Sequence, residues 1–259
     1  PNAAKLAEML DEAISQLPLQ IGLSGEKVEL SLESVIINVN KKGRNIYGSE
    51  CITLAGKPFI TERIAGLEFE ISPLSFYQVN PAQMQKLYKK ALEYADLKGD
   101  ETVLDLYCGV GTIGLFFADY MRKSGGAGRV IGIESVREAV IDANRNAVIN
   151  GIVNARYVSG LAEEELPKLM RGGDDEGISV DRADVVILDP PRAGCHQRLL
   201  EAVCRLAPEK IIYISCDPAT MARDIRYLTN DGYEFCQATP VDMFPWTGAT
   251  EVVAKLMRR

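Results

Sequence analysis

Apolar positions along the chain change period twice. Between residues 3 and 17, Leu6, Met9, Leu10, Ile14 and Leu17 recur at helical spacing, and the pattern stops before Pro18. The period then shortens to two. Val28-Glu29-Leu30-Ser31-Leu32, Val35-Ile36-Ile37-Asn38-Val39, Ile60-Thr61-Glu62-Arg63-Ile64 and Leu67-Glu68-Phe69-Glu70-Ile71 alternate or run apolar, with turn signals at Gly25, Lys42-Gly43 and Gly66. Strands joined this closely leave no room for crossover helices and predict a small antiparallel sheet. Residues 1–75 are therefore expected to form a companion α+β element.

A proline-bracketed connector, Ser72-Pro73-Leu74-Ser75-Phe76-Tyr77-Gln78-Val79-Asn80-Pro81, leads into a helix over 82–95 with Met84, Leu87, Tyr88, Ala91 and Leu92 on one face. From Thr102 strand and helix patterns alternate. Strands are predicted over 102–107, 130–134, 155–158, 184–188, 211–214, 233–239 and 251–257, and helices over 112–123, 136–149, 196–206 and 219–230. That order predicts an α/β domain over 76–259, a doubly wound sheet of about seven strands with helices on both faces. The last two strands, joined by residues 240–250 without a helical pattern, should pair as an antiparallel hairpin at the sheet edge. Residues 171–177 read as a Gly/Asp-rich surface loop.

Composition narrows the function classes. Across 259 residues, 47% hydrophobic and 25% charged, the longest apolar runs are strand-length, well short of the ~20 residues of a membrane span. No membrane association is expected, and the start lacks a basic region followed by an apolar block. The chain opens on Pro1 rather than Met, as a fragment or processed chain would. Six cysteines (Cys51, Cys108, Cys195, Cys204, Cys216, Cys236) are scattered singly beside one histidine, His196. Without clustered ligands no metal is expected, and free thiols fit a reducing, cytoplasm-like compartment. A net charge of -7 argues against gripping nucleic acid by bulk electrostatics, though Lys41, Lys42 and Arg44, or Arg223, Arg226, Arg258 and Arg259, can form local basic patches or plain solvated surface.

Candidate chemistry collects at the carboxyl ends of the predicted strands, where an α/β sheet fixes the backbone and leaves loops free to vary. After the first strand of the alternating part, Cys108-Gly109-Val110-Gly111-Thr112 forms a Gly-rich turn opening a helix, without the Gly-Lys-Ser/Thr of a triphosphate loop. Glu134 ends the next strand, placed to accept hydrogen bonds from ribose hydroxyls. Val185-Val186-Ile187-Leu188 delivers Asp189 into a turn stiffened by Pro190-Pro191, a geometry suited to a planar base or a cofactor. Ile211-Ile212-Tyr213-Ile214-Ser215 delivers Cys216 to the same edge, before Asp217-Pro218 starts a helix. Cys216 is either a nucleophile or a small buried thiol filling the core.

The run Leu104-Asp105-Leu106-Tyr107-Cys108-Gly109-Val110-Gly111-Thr112, then Leu188-Asp189-Pro190-Pro191-Arg192-Ala193-Gly194, then Ser215-Cys216-Asp217-Pro218-Ala219-Thr220-Met221-Ala222-Arg223-Asp224, then Val241-Asp242-Met243-Phe244-Pro245-Trp246-Thr247-Gly248-Ala249-Thr250-Glu251 resembles the RNA uracil-C5 methyltransferases, which make 5-methyluridine in tRNA or ribosomal RNA. The four motifs span about residues 76–257. The resemblance implies a class I S-adenosylmethionine-dependent methyltransferase fold, Rossmann-like, with S-adenosyl-L-methionine as cofactor and RNA as partner. It implies Cys216 as the nucleophile at carbon 6 of uracil and Glu251 as the base that removes the C5 proton. It implies Gln78, Tyr107, Gly109, Thr112, Glu134 and Asp189 as cofactor contacts.

The family's usual amino-terminal RNA-gripping β-barrel has no counterpart here, nor has the cysteine cluster that holds an iron-sulfur centre in some members. Ser159-Gly160-Leu161-Ala162-Glu163 also lacks an acid or amide where members often contact the adenine. Arg223 can lower the Cys216 pKa, bind phosphate or simply pack. The target base must leave its stack, into a pocket expected between the sheet edge and the amino-terminal element. A cytoplasmic monomer acting on structured RNA is the resulting expectation. Methylation of a base amino group, which needs no cysteine, and a catalytically silent cofactor- and RNA-binding scaffold are the alternatives.

Overall fold

The structure, a computed structural model, describes every residue except 1, 18–19, 22–26, 29, 42–46, 49, 79, 174–176 and 249. The turns expected at Gly25 and Lys42-Gly43, and Arg44 of the first basic cluster, lie outside the described residues. Two compact units are present: residues 1–62 with 70–74, and residues 63–69 with 75–259.

In the first unit α1 (Asn2–Ser15) precedes two antiparallel pairs, β1 (Gln20–Ile21) with β2 (Lys27–Val28), and β3 (Ser34–Val39) with β4 (Glu50–Gly56). Of the strand expected over 28–32, Val28 lies in β2, residue 29 lies outside the described residues, and Leu30, Ser31 and Leu32 have no ladder partner among the described residues. β4 is absent from the hydrophobic pattern. It forms because β3 needs a partner for its backbone groups, and Asn38 clamps the pair by accepting from Gly48 N–H (2.7 Å) and donating to Gly48 C=O (2.8 Å). Lys41 pairs with Glu50 at 2.9 Å on the exposed surface.

β5 (Ile60–Ile64) and β6 (Leu67–Ile71) form a two-stranded hairpin across Ala65 and Gly66, whose positive φ values of 52° and 86° suit a two-residue turn. Within the second unit, the Asn150 carboxamide accepts from Glu68 N–H (2.8 Å) and donates to Glu68 C=O (2.6 Å). Helix α2 (Pro81–Ala95) follows, capped by Asn80, with Met84, Leu87 and Ala91 buried as the spacing predicts.

One sheet then carries seven strands: β7 (Thr102–Leu106), β8 (Arg129–Glu134), β9 (Ala155–Ser159), β10 (Val185–Leu188), β11 (Lys210–Ser215), β12 (Tyr233–Val241) and β13 (Glu251–Arg258). Their spatial order is β12-β13-β11-β10-β7-β8-β9, parallel from β9 to β11, with β13 antiparallel to both β11 and β12. The expected edge hairpin is therefore β12 and β13, with β13 on the inside. Helices α3 (Thr112–Lys123), α4 (Arg137–Ile149), α5 (Ala162–Met170), α6 (Gln197–Leu206) and α7 (Pro218–Asn230) connect the strands. This is the class I S-adenosylmethionine-dependent methyltransferase arrangement. Among the described residues no helix is long and apolar enough to cross a membrane.

The strands read as continuous apolar runs because both faces are covered; β10 is 0–1% exposed throughout. Leu104, Leu106, Val186 and Leu188 pack beneath Leu166, Leu199, Val203 and Leu228 of the helices. Each such side chain contributes about 1.5–3 kcal/mol by burial. Helix α5 escapes the sequence pattern because Pro167 stands inside it. It persists because Leu166 and Leu169 are fully buried and Glu163, Glu164 and Glu165 sit at its positive end.

A buried carboxylate ties α7 to the loop after β10. Asp224, 1% exposed, accepts from the Tyr213 hydroxyl (2.6 Å) and the Cys195 N–H (2.7 Å) on one oxygen and from Arg223 Nε (2.8 Å) on the other. Gly194 (φ 78°) makes this possible, since a Cβ there would lie 2.6 Å from that carboxylate oxygen. Asp224→Ala orphans two buried donors and should cost about 2–4 kcal/mol in denaturant unfolding. Arg223→Ala, removing a side chain that is 57% exposed, should cost less than about 1 kcal/mol in the same measurement.

Candidate active site

Strand register decides which residues meet. Leu106 pairs with Leu188 on one side and Ile133 on the other, so the next residues, Asp189, Tyr107 and Glu134, leave the sheet side by side. β7 is the point from which neighbours run in opposite sequence order, the crevice where α/β sheets bind ligands. Ser215 pairs with Val252, and the chains run antiparallel, so Cys216 and Glu251 sit opposite each other one residue further on. Neighbouring strands are about 4.8 Å apart. A cavity of about 1360 Å³ lies over this edge, lined by Gln78, Tyr107, Gly109, Glu134, Asp189, Cys216 and Glu251. Phe76, Leu161, Glu163, Arg192, Arg226 and Phe244 complete much of its wall.

The Gly-rich turn is shaped by packing as much as by any ligand. Tyr107 takes φ 67°, unusual for a bulky residue, and its N–H and that of Cys108 both donate to Ile133 C=O. Gly109 (φ 54°) faces the cavity with open space where a Cβ would stand, its nearest neighbour 3.9 Å away. Gly111 is different. A Cβ there would meet the Tyr157 ring at 2.8 Å, so this glycine admits Tyr157, whose hydroxyl donates to Gly111 C=O. Behind the turn, the fully buried Asp105 accepts from Gly114 N–H at 2.8 Å, while its other oxygen has no donor among the described residues.

Glu134 arrives pre-oriented. One carboxylate oxygen accepts from Gly109 N–H (3.1 Å), the other from Val136 N–H (2.8 Å) and the Ser135 hydroxyl (2.9 Å). Its remaining lone pairs can take hydroxyl donors in the cavity.

Cys216 is half-buried and its neighbours hold it rigidly. Ser215 Oγ accepts from Asp217 N–H (3.0 Å), and Asp217 caps α7 by accepting from Ala219 and Thr220 N–H. The Thr220 hydroxyl donates to Arg192 C=O (3.1 Å), joining this turn to the loop after β10. Burial raises the Cys216 pKa, the carboxylates of Glu251 and Asp189 raise it further, and Arg192 opposes them. Glu251 is 5% exposed; burial lifts its carboxyl above the usual range, partly offset by a hydrogen bond with the Gln78 side chain and by Arg192. Asp189 is pushed well up, first by burial and then by the charges of Glu251 and Asp105. The arrangement offers a thiol and a carboxyl at opposed strand ends, in a cavity lined by both carboxyls (Glu134, Glu163, Asp189, Glu251) and arginines (Arg192, Arg226).

Six of the eight residues singled out from the sequence line the cavity beside Cys216; Thr112 does not, and its hydroxyl bonds that of Tyr88 at 2.8 Å. Arg223 is held by Asp224 and Ala193 C=O, and the cation that acts on Cys216 is Arg192. Phe76, Leu161, Glu163 and Arg192 are functional candidates that strand-end reasoning passes over. Phe76 is legible afterwards as a 74% exposed aromatic two residues before Gln78, and Arg192 as the cation closing Asp-Pro-Pro-Arg. Glu163 needs α5, which Pro167 conceals.

Residues 27–259 match the family model described as tRNA (uracil-5-)-methyltransferase. An uncharacterized RNA methyltransferase of Caldanaerobacter subterraneus is 48% identical over 234 residues, covering 90% of this chain and 49% of that protein. Another from Enterococcus faecalis is 48% identical over 226 residues, covering 87% of this chain and 47% of that protein. The crystal structure of Pyrococcus abyssi tRNA (uracil-54, C5)-methyltransferase in complex with S-adenosyl-L-homocysteine superposes with a TM-score of 0.71 at 34% identity, covering 88% of this chain and 52% of that one. The chain thus spans about half the length of these relatives.

Burial pushes the Asp105 carboxyl up to about 7 from 3.8, against the Gly114 hydrogen bond and with help from the charge of Glu134. Its ionisation is easier in the unfolded chain. Its stabilising contribution is therefore complete below about pH 4 and is lost as pH rises through about 7. Asp105→Asn keeps the acceptor for Gly114 and removes that loss. Stability of wild type relative to the variant should fall by up to about 4 kcal/mol between pH 4 and 8, read from denaturant melts across that range.

Proposed function

The chain belongs to the tRNA (uracil-5-)-methyltransferase family, and on that premise we propose that it methylates carbon 5 of a uridine in structured RNA, tRNA or ribosomal RNA, from S-adenosyl-L-methionine. The observation that carries this is the meeting of Cys216 and Glu251 at opposed ends of β11 and β13 on one cavity with Asp189 and Glu134. A structural thiol needs no buried carboxyl facing it across a strand pair.

The cofactor's place is supported by donor chemistry. Glu134, fixed by three donors, suits ribose hydroxyls; Gly109 leaves room for close approach, and Tyr107 and Gln78 border the same space. Thr112 contributes through the start of α3, since Tyr88 holds its hydroxyl. The clustered carboxyls of Asp189, Glu134 and Glu251 favour a cationic ligand, which a sulfonium is. When bound, S-adenosyl-L-methionine supplies an electrophilic methyl group.

Carbon 5 of uracil is a weak nucleophile until carbon 6 is attacked. The Cys216 thiolate bonds carbon 6, and the ring electrons move to carbon 5, which takes the methyl group. Glu251 then accepts the C5 proton; the electrons of that C–H bond reform the 5,6 double bond and expel the thiolate. Arg192 offsets the acidic surroundings that oppose thiolate formation. Phe76 offers an exposed ring on which a base removed from its stack can lie. In this reading residues 76–259 form the catalytic domain and residues 1–75 a companion element; every cavity-lining residue falls between 76 and 251.

A transcript carrying 5-fluorouridine tests the chemistry, because fluorine cannot leave as a proton does. With S-adenosylmethionine present, wild type should give a shifted band on a denaturing gel and Cys216→Ala none. Methyl transfer persisting in Cys216→Ala would sink the proposal in favour of amino-group methylation. Glu251→Gln should still form the adduct with ordinary uridine but turn over about 10²–10⁴-fold more slowly, measured by release of tritium from C5.

A further inference from the structure

Trp246 is the chain's single tryptophan and it is fully exposed, at 103% of the reference area. It also occupies a costly backbone position. Thr247 N–H donates to Phe244 C=O (3.1 Å), closing a four-residue turn with Pro245 second and Trp246 third at φ 70°. A type II turn wants glycine or asparagine there, and a bulky side chain raises its energy. The turn gains nothing from packing in return, since the ring touches so little of the protein. An exposed ring displayed at a strained position points to a ligand outside the fold.

The loop bearing Trp246 is pinned on both sides of it. Met243 is buried and its carbonyl accepts from Asn80 Nδ2 (2.9 Å), while Phe244, Thr250 and Glu251 all line the catalytic cavity. The backbone of Trp246 therefore lies two residues from Phe244 of the cavity wall, with its indole open to solvent. Resting on the RNA reading above, we propose that Trp246 is a stacking platform for an unpaired nucleobase next to the target uridine, making it a further RNA-contacting residue outside the catalytic cavity. Any base presents a flat face, and an indole on a short, stiff turn captures one at little entropic cost.

Because the tryptophan is single, emission excited at 295 nm reports this residue alone. The probe is a short RNA hairpin with an unpaired, uridine-containing loop, titrated into the full chain. Quenching of the indole is expected on binding. Trp246→Gly, which relieves the turn, should keep or raise the melting temperature yet weaken hairpin affinity about tenfold or more, while Trp246→Phe retains most of it. A hairpin that binds without changing the emission, and equally well to Trp246→Gly, would overturn this inference and leave the C5 chemistry standing. No hairpin binding in wild type, with no 5-fluorouridine adduct, would overturn both. A lowered melting temperature in Trp246→Gly would make the ring structural, and an emission shift that follows protein concentration without RNA would assign it to a second copy of the chain; either result overturns the proposal.

Discussion

β13 enters the sheet antiparallel between β11 and β12, and that reversal sets the geometry of the site. A parallel strand would bring its carboxyl end beside Cys216. β13 instead brings its first residue, Glu251, so the loop feeding it must cross the same edge and carry Phe244 and Thr250 into the cavity wall. The register is held by burial: Val253, Ala254 and Leu256 are fully covered, and a one-residue slip would turn Glu251 to the other face. The facing of thiol and carboxyl is thus a consequence of core packing some residues away.

Electrostatics follows from that crowding. Asp105, Asp189 and Glu251 are all held above the ordinary carboxyl range, by burial first and, for Asp105 and Asp189, by neighbouring carboxylates next. The same environment raises the Cys216 pKa, with Arg192 as the opposing charge. Such a site resists holding several negative charges and relaxes when a positive one enters. A positive charge entering the cavity would therefore lower the pKa values of the thiol and of the carboxyls together.

Among the described residues two bulky ones, Tyr107 and Trp246, adopt left-handed backbone, and they differ in what surrounds them. Tyr107 is strained within the Gly-rich turn, but its N–H bonds Ile133 C=O and its hydroxyl accepts from His196 N–H (3.4 Å), so the turn and the loop after β10 hold it in place. Trp246 has the same backbone sign and almost no covering. The Asp224 network plays the complementary part for the Asp-Pro-Pro-Arg loop, locking it to α7 so that Arg192 and Cys216 stay in register.

Periodicity by itself determined the seven strands from β7 to β13 and four of the helices between them, α3, α4, α6 and α7, because strands buried on both faces must be apolar runs and those helices must be amphipathic. It also marked Glu134, Asp189 and Cys216, since an acid or thiol ending such a run is exposed at the carboxyl edge. Local pattern missed β4, whose existence depends on a partner strand, and α5, where buried Leu166 and Leu169 outweigh Pro167. Only the tertiary structure decided that Glu251 stands opposite Cys216, and that Arg192 lines the cavity with the thiol while Arg223 is held by Asp224 and Ala193 C=O. Those are contacts between residues far apart in the chain, set by strand order and register, and no local spacing encodes which distant side chain a strand end will meet.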